Sequence, residues 1–492
     1  MSATRTAPAH DLAPPVGEPV PGRARRPVPH RADAATAGVV FVVILMIVPA
    51  RLVFRGLSFA ITPAEAVGLF AMAWWFCAHF TDTLGVAKGR TFVRTMVFVY
   101  GASLLATYAY ATAGFLPGDE LDLADHMLVS ATAMIGVVLL MVDGVRGRDR
   151  LDLVLKSVAV MGAVLGVIAA LQFLFQIDPT RYMVLPGLRF TQEELFILER
   201  NGLSRVAATT GHPIEFAVVC AMILPIALHY AFRAHEQGKP SVRWWICATL
   251  IGAGMVFSVS RSAFVGLAGA AVVLLIGWPK VRRLIAAGAV LVFVVGVRLV
   301  VPGVLGAIIT LFTGLSNDSS LRWRIMDYSA AATEIAKHPW LGRGLGTWYA
   351  PKYLVFDNQY ILTTVETGVI GVLAFAGLFV AGIWSALRAR HLMSDPAGRD
   401  LGLTLAACLV VPLIGAATFD LRSYAVVTGL SFLLVGAAGV LMREARHGRT
   451  ATSPPVDPLR DRPAASPPLD PGLSPAGADG RPSTSPRTDP AR

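Results

Sequence analysis

Residues 320–371 carry the densest polar chemistry of the chain: SLRWRIMDYSAAATEIAKHPWLGRGLGTWYAPKYLVFDNQYILTTVETGVIG. Arg322 and Arg324 fall in the first turn of a helix predicted from about Leu321 to Lys337. A helix N-terminus repels cations, so arginines there gain nothing from the dipole unless an anion lies between them. Guanidinium groups pair bidentately with phosphate oxygens, so the two read either as a diphosphate clamp or as solvated, headgroup-contacting side chains. Gly342-Arg343-Gly344-Leu345-Gly346 follows, and glycines so spaced let backbone N–H groups converge on an anion or simply make a turn. Asp357-Asn358 stands at the mouth of a long apolar run, a carboxylate and an amide side by side. Outside this stretch, Arg261 in Ser258-Val259-Ser260-Arg261-Ser262 is a second anion contact or a snorkelling anchor. Arg205 and Gly211-His212-Pro213 precede another apolar run; His212 is a proton shuttle or part of a helix-start turn. Glu366, about two turns into its run, is a buried acid paired with an arginine or a polar helix contact.

The elements that must hold these residues are membrane spans. Of the 492 residues 54% are hydrophobic and 15% charged, against about a quarter charged in soluble domains. Continuous apolar runs near the roughly 20 residues of a spanning helix recur along the chain, without the alternation of a β-barrel. They occupy 35–54, 61–80, 92–112, 126–143, 153–175, 214–232, 243–259, 262–278, 283–301, 359–386, 401–418 and 423–442. The expected fold is all-α and polytopic, with about twelve transmembrane helices. A large extracytoplasmic loop, 302–358, contains an interfacial helix whose apolar face is Leu321, Ile325, Tyr328 and Ile335. The expected divisions are a disordered cytoplasmic N-terminus over 1–34, N-terminal spans over 35–200 and a catalytic region over 201–386. C-terminal spans over 387–447 and a disordered cytoplasmic tail over 448–492 complete the chain. The first apolar run is too long for a cleaved signal peptide.

The net charge of +11 reads as loop asymmetry rather than nucleic-acid binding. Every second loop is basic: Lys88 and Arg90, Arg146 to Arg150, Arg233 to Arg243, Lys280 to Arg283, Arg388 and Arg390, Arg443 and Arg446. By the positive-inside rule both termini are cytoplasmic, and the loops 176–213 and 302–358 face outward, away from nucleotide donors. Cys77, Cys220, Cys247 and Cys408 lie in apolar runs without metal-ligand spacing, so no metal site is expected.

These residues resemble the bacterial O-antigen ligase and polymerase superfamily, which includes the O-oligosaccharyltransferases. Its signature is His, then Asn, Ser or Gln, nine residues, Gly, two residues, and Gly, Thr or Tyr. Here Asn358 is followed by nine residues, Gly368, Val369-Ile370 and Gly371, with Asp357 where the ligases have histidine. Ser260-Arg261-Ser262 is similar to the family's outer-face arginine motif. Arg324, Tyr328, Pro339, Gly342 and Gly344 resemble its large-loop pattern, and residues 205–226 its run into the core.

The resemblance implies a membrane glycosyltransferase for cell-surface polysaccharide. A glycan on polyprenyl diphosphate passes to a hydroxyl of glycan, lipid or protein outside the cytoplasm, without metal, nucleotide or other cofactor. Arg261 and Arg324 then neutralise the leaving diphosphate, and Asp357 takes or orients the acceptor proton. Arg322, Arg205, His212, Asn358 and Gly344 complete the substrate contacts, with His212 as the fallback base. The missing histidine tilts the reading toward a polymerase. The competing class is a transporter or flippase for a lipid-linked glycan or small anion, which needs a polar path across the bilayer interior.

Overall fold

The computed structural model describes residues 33–57, 59–80, 91–191, 198–200, 203–301, 303, 306, 308–309, 319–350 and 352–452, with the side chains of 198–200, 203, 319–327 and 449–452 excepted. The expected terminal segments fall almost wholly outside these residues. The helices in chain order are α1 (Ala34–Ile47), α2 (Pro63–His79), α3 (Phe92–Thr112), α4 (Gly118–Leu139), α5 (Arg148–Leu174), α6 (Pro213–Glu236), α7 (Val242–Phe257), α8 (Arg261–Gly277), α9 (Lys280–Val300), α10 (Ser319–Lys337), α11 (Gln359–Leu392), α12 (Pro396–Gly415) and α13 (Ala425–Thr452). Each expected apolar run falls on one helix, and α10 is the helix expected in the large loop. Among the described residues, eight helices are long and apolar enough to cross a membrane, with shorter apolar helices beside them. The chain is a multi-pass helical membrane protein.

The helix starts follow capping chemistry. Thr62 and Glu65 form a reciprocal capping box on α2, and Asp33, Asn358 and Asp395 accept N–H bonds at α1, α11 and α12, satisfying donors that a helix leaves open. The most enclosed span is α13, 94% of whose apolar window is buried; α9 is the least, at 6%. Small residues set the tightest crossings. A Cβ on Gly68 would stand 2.5 Å from the Ala133 carbonyl oxygen, and one on Gly166 2.4 Å from that of Leu250, so backbones approach where side chains cannot.

Two short pairings were not expected in an all-α reading. β1 (Leu52–Phe54) pairs antiparallel with β2 (Leu188–Phe190), and β3 (Leu198–Arg200) with β4 (Leu203–Arg205). Both lie in connections rather than spans, where three-residue strands give too little alternation to read from sequence.

The two ends of the bundle differ in character. At the end holding the basic connections, acids and arginines neutralise one another. Asp143 accepts from Trp75 and Arg94, Asp152 from Arg148 and Arg233, and Asp400 from Arg282 while facing His229. Asp143 is carried by a π-helical turn, Leu140–Gly144, that ends α4. Such turns shift the register of a helix face.

At the opposite end the large loop is built into the bundle. Helix α11 is broken at Gly368, whose φ of 66° and ψ of −171° are not helical. Residues 339–344 occupy the break: Arg343 and Gly344 N–H donate to the Val365 and Glu366 carbonyls, while Val369 and Ile370 N–H donate to those of Pro339 and Trp340. Helix α10 packs on the first half of α11 through Ala331 and Ile335, in a small cluster with Phe356 and Val365. Tyr328, expected on that apolar face, is 54% exposed.

Candidate active site

The site is built from helix ends. Helices α6, α8 and α11 begin, and α12 ends, at the same end of the bundle. Helix α8 runs antiparallel to α12, with Gly266 against Val411 and Gly277 against Leu403, which sets Arg261 beside the end of α12. Gln359 N–H donates to the Ala416 carbonyl at 2.7 Å and to that of Phe419 at 3.2 Å, which ties Asp357-Asn358 to the connection between α12 and α13.

Arg261 is the first residue of α8, half-buried. Val259, two residues before it, is fully buried at a φ of 50°. A β-branched residue there is a genuine outlier, and such strain gathers at functional sites. Arg205, at the end of β4, donates from Nε to the Ser258 carbonyl at 3.2 Å, which brings two of the expected cations to one strained turn. Asp357 is exposed just before the cap of α11. The backbone of α10 carries Arg322 and Arg324 in its first turn, but their side chains lie outside the described residues.

Asn358 and Gly344 are engaged inside the fold. The Asn358 side-chain oxygen accepts from Tyr360 N–H at 2.9 Å and Ile361 N–H at 3.3 Å, so it caps α11. The Gly344 N–H is taken by Glu366, and a Cβ there would stand 2.8 Å from the Thr347 side chain. Gly342, at a φ of 69°, lies so close to Glu366 that a Cβ would meet its carbonyl at 2.3 Å. The glycine run thus serves close backbone docking. Arg343 points away from that dock, to the buried Glu120 at 2.7 Å and to Tyr353. Burial pushes its pKa down, but the Glu120 carboxylate outweighs this and holds it above the usual arginine value.

His212 caps α6: its Nδ1 accepts from Ile214 N–H at 3.1 Å. Burial, helped by the Arg205 charge, lowers its pKa to about 4. A ring that accepts at Nδ1 and stays neutral carries its proton on Nε2. It is therefore a donor, poorly suited to take a proton from a hydroxyl. Because the folded ring titrates below its unfolded value, the fold binds fewer protons between about pH 4 and 6.5. Thermal stability should then fall as pH drops through that window. His212→Asn keeps a capping side chain and should flatten the decline, measurable in melting curves from pH 7 to 4.

No residue of the turn at 420–424 stood among the expected site residues. Asp420 opens the 3-10 turn Leu421–Ser423. Burial raises its pKa, and the nearby Asp357 charge adds to this against a Ser423 hydrogen bond. Arg422 reaches inward to Glu366, at 3.5 Å, with the two side chains 7% and 5% exposed. Glu366 is therefore the buried acid paired with an arginine. The Tyr424 ring lies 5.7 Å from that of His212. Burial raises the Tyr424 pKa, with Asp420, Glu215 and Asp357 adding to this. Asp357, Asp420, Tyr424, His212 and Arg205 therefore form one electrostatic neighbourhood. A sequence signal existed in Asp420 and Arg422, charges set between two apolar runs, but their partners lie more than fifty residues away.

The family model described as O-Antigen ligase matches residues 246–376. That interval holds Arg261, α10, the docked loop, Asp357 and the break in α11; Arg205, His212 and the 420–424 turn lie outside it. Comparison with curated proteins finds no match.

Proposed function

We propose that this chain, whose residues 246–376 match the O-Antigen ligase family model, is a membrane glycosyltransferase that moves a glycan from polyprenyl diphosphate to an acceptor hydroxyl. The reaction takes place on the outer face of the cytoplasmic membrane, with both termini inside. The observation that carries this reading is the meeting of Arg205 and Arg261 at the Ser258 turn, on the end of the bundle that also bears Asp357. The opposite end, rich in basic connections, faces the cytoplasm by the positive-inside rule.

The lipid tail lies against the bundle and the diphosphate at its boundary. Arg261 and Arg205, with Arg324 and Arg322 from α10, neutralise the charge that grows on the leaving diphosphate. Fixed cations in a poorly hydrated site stabilise that charge without reorganising. Arginine suits the task because its planar fork matches phosphate oxygens. Neutral His212 donates from Nε2 to a donor or acceptor oxygen, and Asp357 orients the acceptor hydroxyl.

The test is a deletion strain of the host analysed for lipid-linked glycan. Loss of the chain should leave polyprenyl-diphosphate-linked units accumulating on the outer leaflet. Single repeats indicate a polymerase and uncapped acceptor a ligase; inward-facing units would overturn the reading in favour of a flippase. In the same strain, Arg205→Ala with Arg261→Ala should lower transfer by at least about 100-fold, the effect of removing one such electrostatic contact. Wild-type levels from the double variant would remove the diphosphate clamp.

A further inference from the structure

Resting on that reading, we propose that Asp420 is the catalytic base, working as a carboxylate pair with Asp357 at the acceptor hydroxyl. Nothing in the family match reaches Asp420, which lies beyond residue 376. Its position follows from main-chain geometry. Gln359, two residues after Asp357, bonds through its N–H to the carbonyl of Phe419, the residue before Asp420. Gln359 Oε1 in turn accepts the Arg422 N–H at 2.6 Å. The start of α11 and the 420–424 turn are therefore clamped on both sides of Asp420.

A lone exposed carboxylate is a weak base for an alcohol, because its pKa lies near about 4. Two carboxylates in one site behave differently: like charge disfavours double ionisation, and one proton comes off late. The base then operates nearer neutral pH, where proton transfer is most effective. Burial and the Asp357 charge both act on Asp420 in that direction. The other charged and titratable groups of this neighbourhood are Arg205 on β4, Arg261 at the start of α8, His212 and Glu215 at the start of α6, Tyr424, and the Arg422–Glu366 pair. Glu215 is occupied, accepting the N–H groups of Gly211, Val426 and Val427. Arg422 is directed to Glu366.

The acceptor oxygen forms a bond to the anomeric carbon. The bond from that carbon to the diphosphate oxygen breaks, and the diphosphate leaves with the electron pair. The hydroxyl proton passes to Asp420, where Asp357 shares it.

The experiment uses the full chain in the deletion strain, with the accumulated lipid-linked glycan as readout, and the purified chain in lipid nanodiscs for infrared titration of protonated carboxyl groups. Asp420→Asn should lower transfer by about 100-fold or more, the range for loss of a general base, while Asp420→Glu recovers part of it. The Asp420→Asn/Asp357→Asn double variant should be no worse than the poorer single variant, as for residues acting as a unit. A carboxyl band that persists above the usual carboxylate range should vanish in Asp420→Asn and shift to lower pH in Asp357→Asn. Full complementation by Asp420→Asn, multiplicative losses in the double variant, or an unchanged carboxyl titration would overturn the pair. A deletion strain that accumulates no lipid-linked glycan would instead overturn the glycosyltransfer reading, which separates the two failures.

Discussion

Gly368→Ala should abolish glycan transfer and destabilise the protein by about 3 kcal/mol or more, the sum of backbone strain and overpacking at one site. The residue sits at a φ of 66° and a ψ of −171°, a region open essentially to glycine alone. A Cβ there would also stand 2.2 Å from the Trp340 carbonyl oxygen. The neighbour is backbone held by the Ile370 N–H, so it cannot turn aside as a side chain would. The substitution should drive residues 339–344 out of the break in α11 and release the loop that connects α10 to Asp357. Melting curves of the purified chain and lipid-linked glycan analysis measure the two effects. Gly288→Ala in α9, where a Cβ meets nothing within 4 Å, is the matched control and should leave both unchanged.

Arg422→Ala should be the second large loss. The guanidinium lies 3.5 Å from Glu366, and both side chains are buried. Removing one partner of a buried pair leaves an uncompensated charge and costs about 3–5 kcal/mol. Adding Glu366→Gln to Arg422→Ala removes the orphan charge and should restore more than half of the lost stability. A double variant as unstable as Arg422→Ala alone would show that the arginine acts through packing rather than through the pair. Transfer need not return with stability, because Arg422 shares its turn with Asp420.

The spans were legible because twenty-residue apolar runs have no other use in a chain with so few charges. Each of the twelve runs meets one helix, and the end of α10 at Lys337 follows from His338-Pro339. Arg205, Arg261 and Asp357 could be found because charged residues at run ends stand out. What stayed hidden depends on contacts distant in sequence. Gly368 fitted a motif spacing within a continuous run, and only the Trp340 carbonyl against it explains why the helix breaks there. Glu366 could be paired with an arginine in principle, but spacing cannot select Arg422 from across α12. Asn358 was read as a ligand contact, yet it first serves the local need of a helix start for an acceptor, while of the two readings of His212 the helix start is the one its cap on α6 bears out. The β1–β2 pairing was beyond reach for the same reason, since Val53 and Arg189 meet across more than a hundred residues.

The loop in the break of α11 is held by main-chain bonds on both flanks: Arg343 and Gly344 donate to one half-helix, and Pro339 and Trp340 accept from the other. Main-chain bonds do not depend on side-chain identity. Provided the glycines remain, the neighbouring exposed positions such as Trp340 can change without unseating the segment. Descendants of such a chain can therefore explore new sugars or acceptors by drift at the rim while inheriting an intact frame.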